Sequence, residues 1–62
     1  MKSLGDPILD MRAVCREKPL TKDEIQAEYK ALGWGVPFED VFRAANGIFI
    51  KAGDDGRYRA IG

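Results

Sequence analysis

Lys51, Arg57 and Arg59 are the residues of this sequence best suited to chemistry with a partner. They lie in "GIFIKAGDDGRYRAIG", where two runs of strand character flank an aspartate-glycine turn. Side chains alternate along a strand, so the three cations share one face, and such a face can contact backbone phosphates. Three contacts on duplex DNA would give a slope of about −2.7 in log K against log salt, which is weak binding for one monomer. The same cations would also blunt an exposed sheet edge against aggregation. A second basic line, Lys22 with Gln26 and Lys30, follows i, i+4, i+8 spacing, and Arg43 is the one cation of the helix after it. Arg12, Arg16 and Lys18 gather at the end of the first helix, where cations complement the helix dipole.

Other chemistries find little material. There is no histidine, and Cys15 is the single cysteine, so a cysteine-histidine metal site and a histidine base are both excluded. Asp54 and Asp55 form a carboxylate pair, but at a solvated loop tip neither has cause to shift its pKa, and a turn role is expected. No glycine-rich phosphate loop and no nucleophile beside a base can be found. The chain is expected to lack a substrate pocket, to bind no metal or cofactor and not to be an enzyme. Two aromatics stand out as partner-binding candidates. Trp34 sits between Gly33 and Gly35, either as an interface anchor or folded over a small core. Phe49 is expected to point away from the buried face of the terminal hairpin, either capping the first helix or exposed to contact a partner.

Three helices and a hairpin must position these groups. Asp6 and Pro7 read as N-cap and first helical residue of a helix over 7–17, with Ile8, Met11 and Cys15 on one stripe widened by Leu9 and Val14. "LTKDEI" is a capping box, Thr21 with Glu24, bracketed by Leu20 and Ile25 at hydrophobic-staple spacing. It opens a helix over 21–32 that buries Ile25, Tyr29 and Leu32 and ends at Gly33. Pro37 opens a third helix over 37–46, where Phe38, Val41, Phe42 and Ala45 follow i, i+3, i+4, i+7. Strands are expected over 48–52 and 57–61. A three-residue loop, Asp54-Asp55-Gly56 with Gly56 left-handed, puts Ile48, Ile50, Ala52, Tyr58 and Ala60 on one face. It puts Phe49, Lys51, Arg57, Arg59 and Ile61 on the other. Loops of two or four residues would mix Arg57 and Arg59 with Ile48 and Ile50, so the three-residue register is preferred.

Three helices followed by a terminal hairpin is the order of a winged helix, an α+β fold. "KPLTKDEI" followed by "GIFIKAGDDGRYRAIG" resembles the HARE-HTH domains. The similar features are Pro19 to Thr21 leading into a helix, Gly47-Ile48-Phe49 opening the wing, and Gly56-Arg57-Tyr58 on the return strand. The resemblance covers roughly residues 18–62 and implies a winged helix-turn-helix that binds DNA or docks on proteins. The segment between the second and third helices is shorter than that family usually has.

Composition bounds both readings. The chain has 62 residues, enough for one domain over 1–62, with residues 1–5 expected as a flexible tail. A chain this short buries only about 60% of its unfolded surface, so all available apolar area counts. Ten basic residues balance ten acidic ones, so any attraction to nucleic acid must come from local segregation of charge. "MKSLGDPILDM" lacks a long apolar run, so neither a signal peptide nor a membrane span is expected, and cytoplasmic residence follows by default. The leading expectation is a small DNA-binding accessory or transcriptional regulator using Lys51, Arg57, Arg59, Lys22, Lys30 and Arg43, acting as a homodimer or beside another protein. The alternative is a protein-docking module anchored by Trp34 and Phe49. Glu39 and Asp40, at the start of the would-be recognition helix, repel phosphates and favour this alternative.

Overall fold

The computed structural model describes residues 5–62. It is an α+β fold of three helices and a C-terminal hairpin: α1 (Pro7–Glu17), α2 (Lys22–Leu32), α3 (Phe38–Ala45), β1 (Ile50–Ala52) and β2 (Tyr58–Ala60). Of the expected tail over 1–5, only Gly5 falls within the described residues.

Each helix starts where the local chemistry directs. The Asp6 carboxylate accepts from the Ile8 amide at 2.8 Å, and Pro7 takes the first helical position. Thr21 and Glu24 close the capping box reciprocally, and Gly33 ends α2 in the left-handed region at φ 77°. α3 begins at Phe38, because Pro37 serves as its cap without a side-chain hydrogen bond.

The helices close on Met11, Val14, Cys15, Leu20, Ile25, Tyr29, Phe38, Val41, Phe42, Ala45 and Ile50. An aromatic series runs through this core from α2 to the hairpin: Tyr29 against Phe38, Phe38 against Phe42, and Phe42 edge-on to Tyr58 at 5.1 Å. Fully burying one such side chain contributes about 1.5–3 kcal/mol, so this series binds the hairpin to the helices.

The hairpin has the expected register, with Ile50 opposite Ala60, Lys51 opposite Arg59 and Ala52 opposite Tyr58. The Gly53 amide donates to the Arg57 carbonyl and the Gly56 amide to the Gly53 carbonyl, enclosing Asp54-Asp55-Gly56 with Gly56 at φ 77°. On its other side, Tyr58 exchanges two backbone hydrogen bonds with Leu20, at 3.1 and 2.6 Å. β2 therefore lies between β1 and the residue that links α1 to α2.

The first strand is shorter than expected, and Ile48 does not join the buried face. The amides of Ile48 and Phe49 both donate to the Ala45 carbonyl, and the Gly47 amide donates to the Ile50 carbonyl. These bonds satisfy orphan groups at the end of α3 and delay the strand to Ile50. Ile48 is thrown outward and is 66% exposed. Ala52, on the same side as Ile50, is exposed as well.

Candidate functional site

Two surfaces gather the candidate residues. The first is cationic. Lys51, Arg57 and Arg59 are exposed on one face of the hairpin, and Lys22, Lys30 and Arg43 are exposed on α2 and α3. Lys51 and Arg59 stand directly opposite one another, an arrangement of like charges that destabilises a strand pair. Arg59 turns away from it. Its guanidinium donates to both carboxylate oxygens of Asp55, at 3.3 and 3.1 Å, and to the Arg57 carbonyl. A Cβ at position 53 would overlap that guanidinium, so Gly53 leaves the space into which Arg59 folds. The Arg59 hydrogen bonds, helped by the Arg57 amide, hold the Asp55 carboxyl below its usual range, and Asp55 raises Arg59 in turn.

Two further cations are also met within the chain. Arg57 lies 3.6 Å from Glu24, whose carboxyl is lowered first by the Thr21 amide and further by Thr21 Oγ1 and Arg57. Lys22 lies 3.4 Å from Glu39 and 5.0 Å above the Phe42 ring. Exposed pairs of this kind are weak, so they do not forbid phosphate contact, but they cancel the local charge that would attract it. Lys30, Arg43 and Lys51 form no ion pair among the described residues, and they stand on three different elements. At the exposed start of α3, Glu39 and Asp40 present carboxylates.

The second surface is a groove of about 390 Å³ between α2, the 33–37 connector and the start of α3. Gly33, left-handed at φ 77°, turns the chain out of α2, and Trp34 packs down against the core. The Trp34 indole N–H donates to Asp10 Oδ2 at 2.7 Å, and Asp10 is fully buried on α1. The Tyr29 hydroxyl donates to the Val36 carbonyl at 2.6 Å. Burial of Tyr29 raises its pKa, keeping that hydroxyl a donor. Two helices thus fix the connector, and the polar groups that fix it point inward. Outside remain one side of Trp34, Val36 and Pro37, over the buried Phe38, with Gln26, Lys30 and Glu39 at the edges. Val36 is 41% exposed.

Phe49, the other aromatic candidate, is half-buried against the core, with the Arg12 guanidinium 5.5 Å from its ring centroid. It is not on an open hairpin face, because the turn from 46 to 49 directs it back toward α1. Arg16 donates to the Gly62 carbonyl, so two of the three cations around the end of α1 have partners in the chain. Cys15 is buried and its thiol is pushed up to about 11, which keeps it protonated and inert.

Asp10 and the groove it supports are not evident from sequence spacing alone. Two signals point to them. Asp10 and Val14 are i, i+4 neighbours on the buried side of α1, and an indole N–H taken out of water calls for an acceptor. Among the described residues no group of metal-ligating side chains gathers, and no helix is long and apolar enough to cross a membrane. Compared with protein-family models, curated proteins and solved structures, the chain matches none.

Proposed function

We propose that the chain is a protein-docking module on a winged-helix scaffold, and that its binding surface is the groove at the α2–α3 connector. The observation that carries this reading is the fixed connector. Asp10 and Tyr29 hold it from within, while Val36 and one side of Trp34 stay open to a partner. Preformed concave apolar surfaces with a few polar groups at the edge are the usual form of binding sites. The winged-helix part of the reading draws on the element order and on the Leu20 bridge, which sets β2 between β1 and the α1–α2 link. A reducing, cytoplasmic setting belongs to the same reading and suits the one buried thiol.

Val36→Asp should abolish capture of partners from cells expressing the tagged chain, while Arg57→Ala/Arg59→Ala should leave it intact. The opposite pattern would overturn the proposal. A second reading, DNA binding through the hairpin, draws on Lys30, Arg43 and Lys51, which keep their charge free of ion pairs among the described residues. It requires duplex affinity that falls steeply with salt and with Arg57→Ala/Arg59→Ala. Absence of duplex binding even at low salt would remove it.

A further inference from the structure

The groove has an apolar floor and an unequal pair of charges at its edge. Glu39 already has a cation, since Lys22 lies 3.4 Å away. Lys30, in the last turn of α2, lines the same groove and has no ion pair among the described residues. A ligand entering here therefore meets one uncompensated positive charge beside an apolar slot. The indole N–H and the Tyr29 hydroxyl already bond within the chain, so the half-buried Trp34 offers its apolar face rather than its donor, and Tyr29 lies beneath as buried floor. At about 390 Å³, the groove is near the lower end of the range for small-molecule sites, about 300–1,000 Å³, and suits one or two side chains rather than a whole helix face.

We infer that the groove takes a short acidic peptide segment of a partner protein, with one bulky apolar side chain inserted beside Trp34 and Val36 and a neighbouring carboxylate meeting Lys30. This rests on the docking reading and adds the chemistry of the occupant. A carboxylate beside Lys30 is attracted, whereas a lysine or arginine there is repelled, so charge supplies selectivity while apolar burial supplies most of the affinity. Peptides whose only feature is positive charge have no favourable place at this edge.

The test is selection of a displayed library of random peptides on the full chain, followed by titration of the enriched peptides against wild type, Val36→Asp and Lys30→Glu. Both substituted side chains are exposed, and circular dichroism with Trp34 fluorescence checks that each variant keeps its fold. The expected result is enrichment of a bulky apolar residue flanked by aspartate or glutamate. Binding should be lost in Val36→Asp and weakened roughly threefold to tenfold in Lys30→Glu, as one exposed attraction becomes a repulsion. Selection on Lys30→Glu itself should turn to basic flanks. Enriched apolar peptides with no acidic bias, bound equally by Lys30→Glu, would overturn the inference and leave the docking reading standing. No enrichment, or peptides indifferent to Val36→Asp, would overturn both.

Discussion

The hairpin and the α2–α3 connector handle their polar groups in opposite ways. At the hairpin, exposed cations are answered by exposed carboxylates of the same chain: Arg59 by Asp55 and Arg57 by Glu24. At the connector, the indole of Trp34 and the hydroxyl of Tyr29 are answered inside, and apolar surface is left outside. Hydrogen bonds to a buried group hold a conformation far more firmly than ion pairs in water. The connector is therefore the end fixed from within, and the hairpin is the end whose two arginines meet carboxylates of the same chain. Cations that look available from their residue types can be paired within the chain, and a segment that looks like a linker can be held by hydrogen bonds from two helices.

Trp34→Ala gives the largest break in this comparison. It removes a half-buried aromatic from a small core and should lower stability by about 2–4 kcal/mol, toward the lower part of the range for large core truncations. Arg59→Ala, at the other end, should leave the urea midpoint close to wild type. Similar losses from the two changes would erase the distinction between the ends. Asp10→Ala sharpens it at intermediate size. Deleting the buried acceptor of the indole N–H should cost about 1–3 kcal/mol, and Asp10→Asn, which keeps a carbonyl oxygen for that N–H, should cost less. Trp34 is the single tryptophan, so its emission should shift to longer wavelength in Asp10→Ala before any unfolding. Equal stability of the Ala and Asn variants would deny the indole bond its structural role.

Much of the scaffold was legible because its signals are local. Thr21 with Glu24, Asp6 with Pro7, and the i, i+3, i+4, i+7 stripe from Phe38 to Ala45 each specify a feature within a few residues. The hairpin register was legible because only one loop length kept Arg57 and Arg59 off the buried face. Ile48 was misplaced because the bonds of residues 47–49 to Ala45 and Ile50 belong to the end of α3, and strand alternation carries no sign of them. The pairs Lys22–Glu39 and Arg57–Glu24 join residues 17 and 33 positions apart (39 − 22 and 57 − 24), beyond the reach of helix-spacing rules. The groove was hidden for the same reason: Asp10 and Trp34 meet only once α1 and the connector pack together.

The smallest effect separates the two ends by acid. Asp55 has a folded-state pKa below its ordinary value, first through its hydrogen bonds from Arg59 and then through the Arg57 amide. A carboxyl lowered on folding contributes stability that is fully present above its unfolded pKa, about 3.9 for aspartate, and lost as pH falls through the lower folded value. Glu24 is lowered too, so protonating either group removes stability with the same sign. The loss should thus set in as pH falls through about 4.3, the unfolded value of glutamate and the higher of the two. The Arg57 amide donates to Asp55 Oδ1 at 3.1 Å, so its chemical shift should titrate with a midpoint below 3.9, the approximate unfolded value. Asp55→Asn should abolish that titration and leave the Val36 and Trp34 amide shifts at neutral pH unchanged. An Arg57 midpoint at the ordinary aspartate value would mean that the Asp55–Arg59 clamp is open in solution. Arg59 would then join Lys51 as a second cation of the hairpin face without an ion pair, while Arg57 stays beside Glu24, and the DNA reading would gain one further phosphate contact.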